Sequence, residues 1–128
     1  MNKVVLDASA ILTIIHQKPG VEKLNPELLA RAVASAVNMA EVQSKLVSHG
    51  WPAGEAWEDG TSPVAEIVPF DAEQARIAGD LTAQTRPYGL SLGDRACLAL
   101  GLALRAPVYT SERIWESLHV GIPIHVLR

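Results

Sequence analysis

One α/β domain, with a mostly parallel central sheet and helices on both faces, is the fold that three observations predict. Short apolar runs rich in valine and isoleucine recur along the chain, helix-like stretches separate them, and 128 residues is the size of a single domain, taken here as 1–128. Strands parted by helices imply right-handed crossovers within a parallel sheet. Hydrophobic residues make up 48% and charged residues 20%, as in an ordinary folded chain. At this size roughly two-thirds of the unfolded surface can be hidden without staples.

The elements follow in order. Val4-Val5-Leu6 reads as a central strand, apolar on successive residues and so buried on both faces. Ser9 or Asp7 can cap a helix running through Ala10, Ile11 and Leu12 to about Gln17, which Lys18-Pro19-Gly20 breaks. A second helix is expected from Val21 to Arg31, with Pro26 restarting it. Ser35 can cap a third, which reaches Gly50 and carries Val37, Met39, Ala40, Val42, Leu46 and Val47. Trp51-Pro52 opens a short segment that Gly60-Thr61-Ser62-Pro63 closes. Ile67-Val68-Pro69-Phe70 reads as a strand. Asp71 and Gln74 have the spacing to cap each other's end groups, starting a helix to about Thr85. Arg86-Pro87-Tyr88-Gly89 is a turn, and Ser91 opens a helix through Leu104 that is apolar nearly all round. Pro107 to Thr110 reads as a strand, Glu112 to Leu118 as a short helix, and Ile124-His125-Val126 as the last strand.

The formal net charge is -3, so nucleic acid would have to be drawn by a local basic patch or through bound cations. A sole cysteine, Cys97, cannot form an internal disulfide and suits a reducing compartment. No run approaches the ~18 apolar residues of a membrane span, and Asp7 interrupts the first apolar stretch, so a cytoplasmic protein is expected. No glycine-rich phosphate loop or G-x-S-x-G elbow is present. His16, His49, His119 and His125 have no paired ligand spacing, and Cys97 sits among Ala96, Leu98 and Ala99 as a core residue would. Trp51, Trp57 and Trp115 suit the core, or a partner surface for at least one of them.

In a parallel sheet, ligands gather beyond the carboxyl ends of the strands. Asp7 follows the first strand at once, Glu112 follows Thr110 by two residues, and Asp94 lies in the first turn of its helix. Each has a plainer reading. Asp7, Asp94 and Glu112 can favour helix N-termini, Ser91 to Asp94 has a capping-box spacing, and Glu41 can pair with Lys45 one turn on. Together they point elsewhere, because clustered carboxylates repel and one must protonate unless a cation joins them. Oxygen-only ligands favour Mg2+ or Mn2+, and a water acidified by such an ion can attack a phosphodiester.

These residues resemble a known family. Val4-Val5-Leu6-Asp7-Ala8-Ser9-Ala10, Ser35-Ala36-Val37-Asn38-Met39-Ala40-Glu41-Val42 and Ser91-Leu92-Gly93-Asp94-Arg95-Ala96-Cys97-Leu98 look like the three signature segments of PIN-domain nucleases, nearest to the VapC-type toxins of toxin–antitoxin pairs. Val108 to Trp115 is similar to the fourth segment. The resemblance implies a PIN-like parallel sheet and a Mg2+- or Mn2+-dependent endoribonuclease acting on RNA. It also implies a small cognate antitoxin that inhibits the nuclease, and a homodimer is expected. It makes Asp7, Glu41 and Asp94 the metal-holding acids, with Ser9 and Thr110 in support. Glu112 stands where the family usually has Asp, which leaves its part in the site open. Asn38, three residues before Glu41, either orients it or is simply solvated. The alternative function is a catalytically silent PIN-like domain that binds protein or RNA. A phosphoacceptor receiver would need an acidic pair after the first strand and a late lysine, which this chain lacks. Ile11, Ile14, Ile15, Trp51 and Trp57 are candidate walls of an antitoxin groove, or else core.

Overall fold

The computed structural model describes residues 2–128. Strand β1 (Val4–Leu6) is buried on both faces, because alternate side chains of an unbroken apolar run point to opposite sides of the sheet. Helix α1 (Ala8–Ile15) follows at once, with Asp7 as its N-cap. Lys18, Pro19 and Gly20 break the chain as expected, but the next segment is not one helix. Val21–Lys23 makes a single 3-10 turn, and α2 (Pro26–Leu29) starts afresh at the Asn25 cap with Pro26 in its first turn.

The chief correction is strand β2 (Ala32–Ser35), which the sequence reading passed over. All four of its residues are buried, and it runs parallel to β1 with Val33 opposite Val5. Its small side chains carry little strand signal. They suit a central position where helices press from both sides. Ser35 ends β2 and caps α3 (Ala36–Ser48), its hydroxyl accepting from the Val37 amide. Helix α4 (Ala53–Thr61) leads to β3 (Glu66–Val68), which ends where Pro69 removes a ladder donor.

The expected helix from Asp71 to Thr85 is two, α5 (Ala72–Asp80) and α6 (Thr82–Thr85), which meet at Leu81. Asp71 accepts from the Gln74 amide, whereas the Gln74 side chain turns to the Pro69 carbonyl, so only half of the reciprocal cap forms. Helix α7 (Leu92–Leu104) and strands β4 (Val108–Thr110) and β5 (Ile124–Val126) complete the chain, with a 3-10 turn at Arg113–Ser117 where a short helix was expected.

The strands lie in the order β3-β2-β1-β4-β5, all parallel. One core packs Val4, Leu6, Ala32 and Ala34 against Ile11 of α1, Leu28 of α2, Met39, Val42 and Leu46 of α3 and Ala56 of α4. The other packs Val5, Val33 and Val108 against Cys97, Leu98 and Leu100 of α7, with Leu81 and Trp115. Helices thus cover both faces. No helix of the described residues is long and apolar enough to cross a membrane.

Helix α7 lies close on the sheet at Gly101. A Cβ there would stand 2.7 Å from Val108 Cγ2 and 2.6 Å from Ile122 Cδ1. The Ile122 tip can swing aside, but Val108 is β-branched and held in β4. Gly101→Ala should therefore cost roughly 1–3 kcal/mol, as overpacking does, despite alanine's better helix propensity. Denaturant unfolding would measure this, and a neutral result would mean that α7 can lift from the sheet.

Candidate active site

Strand order reverses at β1. The chain goes from β1 to its neighbour β2 on one side and later returns to β4 on the other. The crevice beyond the carboxyl ends of β1 and β4 is the place where such sheets bind ligands. Asp7 leaves β1 there, and Thr110 is the last residue of β4.

Asp7 is buried, and every contact it makes treats it as an anion. Its Oδ1 accepts from the Ala10 amide at 2.8 Å and from the Ser9 hydroxyl at 2.7 Å. Its Oδ2 accepts from the Thr110 hydroxyl at 2.6 Å. Those hydroxyls in turn accept from the Ser111 and Glu112 amides, so each is aimed with its one proton on Asp7. Burial opposes this arrangement and pushes the Asp7 carboxyl up to about 6, with the nearby Asp94 charge adding to the rise against the three hydrogen bonds.

Glu41 and Asp94 approach from α3 and α7. The Asn38 amide, buried one turn before Glu41, donates to Glu41 Oε1 at 2.8 Å and to the Gly93 carbonyl at 3.0 Å, tying the two helices together. Asn38 Oδ1 is buried without a hydrogen-bond partner among the described residues. Gly93 leaves the room Glu41 occupies, since a Cβ at that position would lie 2.5 Å from the Glu41 carboxyl carbon. Asp94 closes a capping box, with Oδ2 accepting from the Ser91 amide at 2.9 Å and Ser91 Oγ accepting from the Asp94 amide. The capping readings of Asp7 and Asp94 therefore hold alongside their place in the site. Glu41 makes no ion pair with Lys45 among the described residues.

Asp7, Glu41, Asp94 and Glu112 line one cavity of about 250 Å³, with Ala8, Ser9, Leu12 and Lys45. Beneath it, burial pushes the Cys97 thiol well up, and the Asp7, Asp94 and Glu41 charges push the same way. As placed, no three His, Cys, Asp or Glu side chains among the described residues close on a single point as direct ligands. The donors suit a hydrated ion better than a dry cage. They are all oxygens, and a buried Asp7 hydrogen-bonded as an anion, beside a second carboxylate, is short of a positive charge.

Two residues of the site lie outside the sequence expectations, Lys45 in the cavity lining and Gly93 packed against the Glu41 carboxyl. Lys45 figures there only as an ion-pair partner, and the sole hint for Gly93 is a glycine in the first turn of a helix, where it lowers helix propensity. Of the proposed groove residues, Ile11 is fully buried core. Ile14, Ile15 and Trp51 are half-buried against that core, and Trp57 is 47% exposed.

A parallel sheet with an acid-lined crevice at its switch point defines a class of α/β domain, and the sequence assigns the family. Residues 4–119 match the PIN domain, and the chain belongs to that family. No curated protein is significantly similar in sequence. Among solved structures the fold is shared with a chain of DNA-bound VapBC from Salmonella typhimurium, at a TM-score of 0.74 and 20% identity over 100% of each chain. A chain of VapBC2 from Rickettsia felis bound to a promoter DNA fragment gives 0.73 and 20%, covering 94% of this chain and 96% of that one. One of FitAcB from Neisseria gonorrhoeae gives 0.67 and 17%, covering 97% of each.

Folding raises the Asp7 carboxyl from 3.8 to about 6, so the native state holds more protons than the unfolded chain between those values. Stability is therefore lost as pH rises through that window. At about 1.36 kcal/mol per unit, the penalty above pH 6 is on the order of 2–3 kcal/mol in metal-free protein. Asp7→Asn removes this titration. Its melting temperature relative to wild type should be highest above pH 6 and the gap should narrow towards pH 4, as a calorimetric pH series would show. A pH-independent gap would mean that Asp7 is solvated more than its burial indicates.

Proposed function

We propose that this chain is a metal-dependent endoribonuclease of the VapC toxin type, held inactive by a small cognate antitoxin. The observation that carries the reading is the gathering of Asp7, Glu41 and Asp94, with Glu112, around one cavity at the switch point of a PIN domain.

Asp7, Glu41 and Asp94 are the residues that would hold Mg2+ or Mn2+, directly or through waters, and Glu112 joins them as a secondary contributor. The chemistry such an ion supplies when bound is neutralisation of phosphate charge and acidification of water for attack on the phosphodiester. The chain's own part is to keep that place anionic and fixed. Ser9, Thr110 and the Ala10 amide hold Asp7 in one orientation. Asn38 holds Glu41, and the capping box fixes Asp94 through one oxygen while leaving Oδ1 outside the cap. Glu112 is one methylene longer than the Asp usual there, and its exposed carboxylate can reach the cavity through a water.

For the partner, the support is the series of toxin–antitoxin complexes among the structural neighbours, one of them from Klebsiella pneumoniae, and an apolar surface on this chain. Trp57 on α4 is exposed, and Ile14, Ile15 and Trp51 are half-buried against the core cluster to which α4 contributes Ala56. A homodimer and a cytoplasmic location belong to the same reading.

The deciding assay uses chain freed of any partner, labelled RNA, and Mn2+ present or absent. Cleavage should require the ion and vanish in Asp7→Asn, whose fold is kept because Asn also caps helices. Retained RNA binding with no cleavage under any divalent ion would instead mark a silent PIN-like domain. Glu112→Gln should weaken Mn2+ dependence several-fold without abolishing cleavage, and Glu112→Asp should keep most activity. Complete loss in Glu112→Gln would put this residue on a par with Asp7. Co-expression with the neighbouring reading frame, followed by pull-down, tests for the antitoxin, and failure to recover any small protein would count against it.

A further inference from the structure

An acidic cavity repels the substrate proposed for it. The chain as a whole is also negative, with a formal net charge of -3, so attraction for RNA has to come from bound metal ions or from particular cationic side chains beside the acids. Among the described residues, Lys45 is the one cationic side chain lining the acid cavity, and it is exposed. It lies one turn beyond Glu41 on α3, yet among the described residues it forms no ion pair, so its charge is not consumed by its neighbour.

A second cavity of about 460 Å³ adjoins the first at Glu112, which lines both. Its other lining residues are Ser111, Arg113 and Arg128. Arg113 is exposed, and its Nε donates to the Arg128 backbone oxygen at 3.3 Å; the rest of its guanidinium fork has no partner among the described residues. The sheet order separates the two sets of cations. Lys45 is carried by the helix that follows β2 and Arg113 by the turn that follows β4, while Asp7 follows β1 between those strands.

We propose that Lys45 and Arg113 grip backbone phosphates of a single-stranded RNA on the two sides of the acid cavity, laying the strand across Asp7. The proposal rests on the ribonuclease reading above, and it names the residues that would make RNA stay. Lys45 supplies a point charge nearest the acids, and Arg113 a planar fork suited to phosphate oxygens in the adjoining cavity. Both are positioning residues, because they act on flanking phosphates and not on the reacting atoms.

The test measures binding and cleavage separately. In an Asp7→Asn background, anisotropy of a labelled single-stranded oligoribonucleotide is followed across a KCl series. Lys45→Ala and Arg113→Ala should each weaken binding several-fold at low salt and flatten the slope of log affinity against log salt by about 0.7, the value for one single-strand phosphate contact. Lys45→Arg should keep the slope, and so should Lys3→Gln, at the opposite edge of the sheet. In the otherwise unmodified chain with Mn2+, the Ala variants should raise KM far more than they lower kcat. Slopes and KM as in Lys3→Gln, with cleavage intact, would overturn the phosphate grip and leave the nuclease reading standing. Flattened slopes in a chain that never cleaves would do the reverse, and absence of any RNA binding would remove both.

Discussion

The buried carboxylate of Asp7 is the point on which the rest of the arrangement depends. It follows β1, caps α1 and accepts a hydrogen bond from the Thr110 hydroxyl at the end of β4. Through Ser9 it also reaches the backbone of Ser111. One side chain thereby joins two central strands and a helix at the place where the strand order reverses. A neutral group of the same shape could cap the helix. It could not accept from two hydroxyls and an amide at once while offering charge to the crevice.

This arrangement carries an electrostatic cost. Ordinary caps sit at the surface, where water stabilises the anion, whereas Asp7 is buried with a second carboxylate close by. Glu41 and Asp94 are held differently, at the mouth and partly in solvent, so the site grades from a dry floor to a wet rim. That gradient suits a cation that keeps part of its water shell. Cys97, buried under the same charges, is kept a neutral thiol and a poor nucleophile, in line with its reading as core.

Legibility followed how local each cause was. β1, α3, α7 and β4 stood out because their signals are local: an unbroken apolar run, a serine cap, a capping box, a β-branched stretch after a proline. Asp7, Asp94 and Glu112 were legible for the same reason, since each sits within two residues of a strand end or in the first turn of a helix, whereas Glu41, inside α3, was singled out only by the family resemblance. β2 was missed because Ala32, Ala34 and Ser35 are small for reasons that lie in the helices packed on them. The break at Leu81 and the shortened turns after Gly20 and Glu112 likewise depend on packing. Asn38 was a local guess. Its bond to the Gly93 carbonyl, 55 residues away, belongs only to the folded chain, and the same is true of Lys45 lining the acid cavity.

Gly93 shows how a site can be encoded by a missing atom. Its position in the first turn of α7 is one where almost any other residue would make a better helix, and nothing about its backbone there demands glycine. A protein selected only for hardiness would fill it, gaining on the order of half to one kcal/mol of helix propensity. The newcomer's methyl would take the volume that the Glu41 carboxylate now fills. Selection for robustness and selection for chemistry thus pull this position in opposite directions. An added side chain here would gain helix propensity and displace the Glu41 carboxylate, so this one position couples the stability of α7 to the shape of the acid cavity.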